Sequence, residues 1–188
     1  MIPRLTVIAA LAALVIPAAA GGADTTWASL RRPLHLPTVA PGAACPASTI
    51  DRRIDWNRMR IFGGFGIGRG PVYPGLPDAF FMATGDLQYG STWYGAKVFW
   101  FALPSYRGRF LIRGRQLDGP NPVGFNGQRR ARDELRVEPY DSVGWTGQPY
   151  HSRGIPTDVR IRAKGCYAFQ IDGTTFSRIV VVSADVAN

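Results

Sequence analysis

The chain has 188 residues, 46% of them hydrophobic, and carries a formal net charge of +9 at neutral pH. That length is enough for one domain with a substantial core. Two cysteines and two distant histidines give no metal-ligand spacing, so we expect neither a metal centre nor a cofactor. The positive charge favours an anionic partner such as a cell-wall polymer, an acidic glycan, a lipid surface or nucleic acid. A GC-rich genome also explains the bias of 20 arginines against 2 lysines.

The N-terminus is typical of an export signal. Arg4 precedes an apolar run, Leu5–Ile16, that only Thr6 interrupts, and Ala18–Ala20 has the small-x-small pattern of a signal peptidase site. The run is short for a membrane span, which takes about 20 strongly apolar residues. We therefore expect residues 1–20 to be a signal peptide and the protein to be secreted or associated with the cell envelope. A retained membrane anchor is the alternative, and no later segment is predicted to span a membrane.

Residues 21–95 form a segment rich in proline and glycine that we expect to contain short strands and to pack on the rest of the fold. Prolines 33, 37, 41 and 46 predict an extended, irregular chain, and residues 51–60 hold a short helical pattern. Spaced glycines between Phe62 and Pro71 suggest a phosphate loop, but such a loop leads into a helix. Pro71 and Pro74 follow instead, so turns and close backbone packing explain these glycines better, and we expect no nucleotide site.

From residue 80 onward the pattern is that of β-structure. Short apolar runs are separated by clusters of glycine, proline, asparagine and aspartate. Seven short strands at this spacing favour an antiparallel β-sandwich, with a tight turn at Asp172-Gly173. The predicted strands are Phe80–Thr84, Lys97–Leu103, Arg109–Leu117, Glu134–Glu138, Thr157–Ala163, Cys166–Asp172 and Phe176–Ser183.

The last three predicted strands resemble the E–F–G portion of an immunoglobulin-like domain. In that family strand F begins with a tyrosine-corner pattern, D-x-G/A-x-Y, whose tyrosine hydroxyl bonds to upstream backbone. Gly165 and Tyr167 match the pattern, whereas Ala163 replaces the acidic residue, and Phe169 stands where the family has a disulfide cysteine. The resemblance covers residues 96–188 and implies an immunoglobulin-like β-sandwich, a fold that hosts many functions.

The two cysteines, Cys45 and Cys166, are expected to form one disulfide in an oxidising compartment, with two free thiols as the alternative. If Tyr167 points into the sandwich, strand alternation turns Cys166 outward. The bridge would then hold the proline-rich segment over the outer face of that sheet. The run Ile179–Val182 is apolar on both faces, which predicts a sheet that is covered on both sides.

Catalytic motifs are absent from the sequence. His35 and His151 have no patterned nucleophile or carboxylate partner, and no G-x-S-x-G occurs. Glu134 and Glu138 lie on one predicted strand, whereas a glycosidase needs two carboxylates that flank a sugar. We therefore assign no catalytic residue and expect a non-catalytic envelope or extracellular binding module for anionic or glycan ligands. A secreted hydrolase acting on cell-wall or glycan material is the alternative.

A long predicted loop, from Pro139 to Pro156, holds the first group of candidate ligand contacts. Loops at the end of a sandwich often carry function, and aromatic side chains there suit stacking on sugar rings. Hydrophobic anchoring of the loop is the simpler explanation of the same residues. The candidates are Tyr140, Trp145, Tyr150 and His151.

Arginines on two predicted strands form the second group of candidates. Each pair alternates with apolar or small residues and so lies on the polar face of its strand. The second and fifth strands of an immunoglobulin-like sandwich are neighbours, so the four guanidiniums would share one face and bind an anionic cell-wall polymer. Neutralisation by Asp158 and Glu138 is the alternative, since like charges side by side are destabilising. The four residues are Arg113, Arg115, Arg160 and Arg162.

Overall fold

A computed structural model describes residues 25–40, 42–56, 64–85, 92–127, 129–139 and 153–187, and within these it contains one short helix and ten strands. The predicted all-β class is confirmed. The helix is α1 (Thr25–Leu30). The strands are β1 (Phe65–Gly66), β2 (Val72–Leu76), β3 (Phe80–Gly85), β4 (Tyr94–Ala102), β5 (Phe110–Gln116), β6 (Gly124–Phe125), β7 (Leu135–Val137), β8 (Arg153–Ile161), β9 (Gly165–Gly173) and β10 (Ser177–Ala187).

All seven predicted strands are present, and the differences lie in segments rich in proline and glycine. The seven predicted ranges do not include β1, β2 and β6. β1 and β6 have only two residues each, and β2 contains Pro74, which weakens a strand pattern. Here the Pro74 carbonyl still accepts a hydrogen bond from Ile67 N at 3.2 Å. α1 lies in the stretch that we expected to be irregular. Of the predicted helix at 51–60, residues 52–54 form a turn or bend and Trp56 has helical backbone, and residues 57–60 lie outside the described residues.

The ten strands belong to one mixed sheet. Its main path runs β1-β2-β4-β3-β10-β9-β5-β7, and β8 pairs with both β4 and β6. β9 and β10 form the predicted hairpin, whereas β3 joins β10 in a parallel pair. β4 is central because β8 covers one of its edges over nine residues, while β2 and β3 share the other edge.

The segment around β6 links β5 to β8. An antiparallel bridge joins Arg115 of β5 to Pro122, just before β6, and β6 pairs in turn with β8. One apolar core fills the interior and draws on nine of the ten strands, β2 to β10. The immunoglobulin-like sandwich is not confirmed, because the strands form one connected sheet instead of two separate ones.

The local geometry expected around strand F is present in β9. The Tyr167 hydroxyl donates to the Ala163 carbonyl at 2.6 Å, four residues upstream. Burial of this phenol raises the pKa of Tyr167 to about 12. Phe169 fills the core and meets Trp100 edge to face, with ring centroids 5.4 Å apart. Phe169 therefore fills the core at the position where the immunoglobulin-like family has a disulfide cysteine.

The outer face of the sheet is also apolar along one strip, and the N-terminal strap covers it. We define this strap as residues 25–40 and 42–56. Its apolar side chains meet three separate patches of the sheet. Trp27 and Leu30 pack on Leu111 of β5. Leu36, Val39 and Cys45 pack on β9 and β10. Trp56 packs on an aromatic patch of β2 and β4.

The strap and the first three strands are continuous with the rest of the fold. β2 and β3 pair with β4 and β10, so the segment 21–95 contributes to the same sheet and the same core as the residues after it. The boundary that we expected at residue 96 falls inside β4. The described chain is thus organised around one core.

The disulfide between Cys45 and Cys166 is confirmed, with Cα atoms 5.4 Å apart. Tyr167 belongs to the interior core, whereas Cys166 packs in the outer cluster with Val39 and Val181. The bridge therefore lies on the outer face, as strand alternation predicted. It ties the strap to β9 across 121 residues of sequence.

Replacing Cys45 and Cys166 together with serine should lower the free energy of unfolding. Closing a loop of 121 residues restricts the unfolded chain by about 4–5 kcal/mol at most in the chain-entropy model. Denaturant titration of the wild type and the double variant measures the difference. The reduced wild type is the control and should match the variant, and a loss below about 1 kcal/mol would contradict the expected role of the bridge.

Candidate functional site

A basic cleft opens where the strap passes over β9 and β10. Its volume is about 890 Å³, and we call it the strap cleft. Its lining comes from both parts of the strap, from the turn after β1 and from the hairpin of β9 and β10. The lining residues are His35, Ala47, Ser48, Thr49, Arg53, Gly68, Arg69, Gln170, Ser177, Arg178 and Ile179.

The strap has two legs, residues 25–40 as the first and residues 42–56 as the second. Hydrogen bonds fix both legs to the sheet and so shape the cleft between them. In the first leg, Gln170 Nε2 donates to the Pro33 carbonyl at 3.0 Å, and Gln170 Oε1 accepts from His35 N at 2.8 Å. In the second leg, Ser48 N donates to the Val181 carbonyl at 2.8 Å, and Val181 N donates to Ser48 Oγ at 3.0 Å. Gln170 and Ile179 are cross-strand partners, and both line the cleft between the legs.

Three arginines from three different segments line the cleft. Arg53 belongs to the strap, Arg69 to the turn after β1, and Arg178 to β10. All three side chains are exposed to solvent. Among the residues that the structure describes, Arg69 and Arg178 form no ion pair, and no carboxylate lines the cleft. The cleft therefore presents uncompensated positive charge.

Arg53 differs from the other two because it is held by a buried carboxylate. Its Nε and Nη2 atoms donate to Asp51 at 2.8 and 2.5 Å. These bonds, joined by one from the Tyr73 hydroxyl at 2.8 Å, outweigh burial and lower the pKa of Asp51 to about 2. Burial and the same Asp51 contact raise the pKa of Tyr73. Trp56 Nε1 donates to the Asp51 carbonyl at 2.8 Å, so this group also anchors the second leg.

A second buried carboxylate, Asp172, lies beneath the first leg. Its oxygens accept from Arg113 Nη2 at 2.9 Å, Gln170 Nε2 at 3.0 Å and Ser177 Oγ at 2.7 Å. Arg32 pairs with it at 3.5 Å and also donates to the carbonyls of Phe176 and Gly173. Buried charges are stable in proteins when they are paired and hydrogen-bonded. Two guanidiniums compensate this carboxylate, so it adds no negative charge to the cleft.

A glycine brings the Arg69 turn against β10. Gly68 has φ +102°, which L side chains rarely adopt, and a Cβ on it would lie 2.8 Å from Val180 Cγ2. Gly68 N also donates to the Thr49 carbonyl at 2.9 Å. No helix follows this segment, so the interpretation of its glycines as turn and packing residues is confirmed.

The predicted patch of four arginines is not formed, because its two strands are not neighbours. β5 lies between β9 and β7, whereas β8 lies between β4 and β6. Arg113 pairs with Asp172 and donates to the Arg32 carbonyl, and Arg115 is exposed on β5. The proposed neutralisers are engaged elsewhere, since Asp158 pairs with Lys97 and Glu138 with Arg109.

The arginines of β8 have separate environments. Arg160 is 1% exposed, so its face of β8 is buried and not the open polar face that alternation predicted. It donates to the carbonyls of Asn126 and Gly127 at 3.1 and 3.3 Å. Arg162 follows the end of β8, bonds to Thr92 Oγ1 and lies over the Trp93 ring at 4.2 Å. These contacts make Arg160 part of the fold.

The aromatic loop candidates Tyr140, Trp145, Tyr150 and His151 lie outside the described residues, as does the predicted signal peptide. Their role in ligand contact stays a prediction. The aromatic residues of β4, by contrast, are packing residues. Trp100 faces the interior core, while Phe101 stacks on Tyr73 at 5.5 Å in the outer aromatic patch.

The described residues hold no arrangement typical of a hydrolase. Ser177 donates directly to Asp172, and no hydrogen bond joins the His35 imidazole to either of them. A catalytic triad needs the imidazole between the hydroxyl and the carboxylate. Glu134 binds Arg31 and Arg136, and these bonds outweigh the effect of burial and lower the pKa of Glu134. No group of three potential metal ligands occurs in this part of the chain.

Sequence reasoning missed the arginines of the cleft. Arg53, Arg69 and Arg178 lie on segments that are far apart in the chain, and no motif links them. The sequence offered one signal, the position of Arg69 within a run of glycines. That run predicts a turn but does not show which residues the turn contacts. The sequence analysis considered His35 only as a possible catalytic residue or metal ligand, and did not place it in a cleft.

Comparison with protein-family models, with curated proteins and with solved structures finds no match for this chain. Within the described ranges, no helix is long and apolar enough to cross a membrane. The geometry of the strap cleft is therefore the basis for assigning a function.

Replacing Asp51 with asparagine should remove a pH-dependent part of the stability. The folded-state pKa of Asp51 is depressed from 3.8 to about 2, so the ionised carboxyl stabilises the fold by about 2 kcal/mol above pH 4. That contribution is lost as the pH falls from about 4 to about 2. Urea titrations of both proteins across this range should show a difference that closes towards pH 2. A difference that stays constant would contradict the assignment.

Proposed function

We propose that the protein is a non-catalytic binding module of the cell envelope or the extracellular space, and that it takes an anionic ligand in the strap cleft. One observation carries the proposal. Three arginines line a cleft of about 890 Å³ in which the described residues place no carboxylate. Clefts lined by charge of one sign focus the electrostatic field and attract ligands of the opposite sign.

The contrast with the other arginines supports this choice of site. Arg31 and Arg136 share Glu134 at 2.8 and 2.7 Å. Arg109 and Arg136 each lie over the Trp27 ring at 5.4 Å, so these contacts fix α1 to the sheet. Arg113 compensates Asp172. Arg69 and Arg178 have no such internal task among the described residues, so their charge is available to a ligand.

The location outside the cytoplasm rests on two separate features. The N-terminal sequence is typical of an export signal. A disulfide that joins the strap to β9 suits an oxidising compartment, because cytosolic thiols are kept reduced. The bridge follows the first leg of the cleft and precedes the second, so an oxidising compartment also favours the folded cleft.

Binding is favoured over catalysis because the polar groups at the cleft are committed to structure. The Gln170 amide holds the first leg on both its oxygen and its nitrogen. Ser177 donates to a carboxylate that is itself saturated by Arg113 and Gln170. None of these groups is placed to take up and return a proton, whereas the exposed guanidiniums suit electrostatic recognition.

Replacing Arg69 and Arg178 together with glutamine should weaken binding of a polyanion such as dextran sulfate by roughly tenfold or more. The matched control replaces Arg107 and Arg129, two exposed arginines outside the cleft, and removes the same charge. Binding is measured by calorimetry at low salt and at about 1 M salt, where screening should weaken it further. Equal losses in both double variants would mean that net charge, and not the cleft, binds the polyanion.

A further inference from the structure

The chemistry of the strap cleft narrows the class of anion that it suits. Its lining holds guanidiniums, hydroxyls, one imidazole and one carboxamide, and the described residues contribute no tryptophan, tyrosine or phenylalanine to it. Nucleobases are recognised by stacking on aromatic side chains, and this lining gives them no such surface. The neighbouring aromatic residues Trp56, Tyr73 and Phe101 are buried against one another. The ligand is therefore recognised by charge and hydrogen bonds.

The hydroxyl of Ser48 adds a neutral donor to the cleft. Its Oγ already accepts the bond from Val181 N, and among the described residues nothing accepts the Ser48 hydroxyl hydrogen. A serine hydroxyl has one hydrogen to donate. Since Ser48 lines the cleft, this hydrogen is available to an acceptor oxygen of the ligand.

The donors of the cleft belong to separate segments of the chain. Arg53, Arg69 and Arg178 come from the strap, the β1 turn and β10, and Ser48 comes from the second leg. Guanidinium forks bind both carboxylates and phosphates in a bidentate manner. A planar carboxylate accepts in one plane, whereas the tetrahedral oxygens of a phosphate accept from several sides. Donors on separate segments can bond to such oxygens from several sides, and this favours phosphate over carboxylate as the ligand group.

The size of the cleft argues against a single phosphate ion. Cavities of about 300–1,000 Å³ hold ligands of drug size, and the strap cleft is near the upper end with about 890 Å³. It is also open to solvent between the two legs, so a chain can enter and leave it. Several linked phosphates would place more than one anionic group against the arginines.

We propose that the ligand is a linear polymer of phosphate groups without aromatic rings, joined either directly or through polyol linkers. This inference rests on the proposed function and specifies the ligand of the same cleft. Arg69 and Arg178 each bind a phosphate, Arg53 is positioned for a neighbouring one by Asp51, and Ser48 donates to a phosphate oxygen.

The test compares four probes of matched length on the full mature chain: inorganic polyphosphate, poly(glycerol phosphate), poly-glutamate and polygalacturonate. We expect one or both phosphate polymers to bind at least about tenfold more tightly than either polycarboxylate, since each charged hydrogen bond that fits contributes about that factor. Which of the two binds more tightly identifies the phosphate source. Replacing Arg69 and Arg178 with lysine keeps the charge but loses the fork, and should abolish most of this preference.

The outcomes separate the two proposals. Equal affinity for phosphate and carboxylate polymers, lost in the R69Q/R178Q variant, would overturn the phosphate inference and leave the anion-binding function standing. Affinity for all four probes that is unchanged in R69Q/R178Q would overturn both. A phosphate preference that survives the lysine replacements would show that charge alone selects the ligand, and would overturn the assignment to the guanidinium forks.

Discussion

β9 and β10 are apolar on both faces, and the fold depends on covering both. Val180 and Val182 face the interior core, whereas Val181, Ala168 and Cys166 face outward. Exposed apolar surface of this kind costs about 25 cal/mol per Å² in water. The N-terminal strap removes that surface from solvent without adding a second sheet, and it covers two further apolar patches, on β5 and on β2 and β4. A chain that is extended and rich in proline suits this role because it lies flat on the strands that it covers.

The strap cannot be held by apolar contact alone, because its backbone polar groups leave water as it is buried. The structure pairs them with side chains of the sheet. Gln170 satisfies the carbonyl of Pro33 and the amide of His35, and it also contacts Asp172. The disulfide fixes Cys45 to β9, and Ser48 then bonds to Val181 of β10. Two legs on two adjacent strands leave a gap between them, so the strap cleft is a geometric consequence of how the outer face is covered.

The same arrangement buries two carboxylates and leaves two arginines exposed. Carboxylates Asp51 and Asp172 are buried where they fix the strap, and each is paired with arginine. Arg69 and Arg178, which form no ion pair among the described residues, line the cleft with exposed side chains. Arg69 and Arg178, which we propose to bind the ligand, thus differ from the anchoring arginines because they pair with no buried carboxylate among the described residues.

The sequence by itself determined the all-β class, seven of the ten strands and the outward position of Cys166, because alternation and turn residues are local signals. It also predicted the Tyr167 corner, whose bond spans four residues. Only the tertiary structure decided which strands are neighbours, and this separated Arg113 from Arg160. It alone brought Arg53, Arg69 and Arg178 to one cleft. Strand order and convergence of distant segments depend on the packing of the whole core, which no local pattern of residues records.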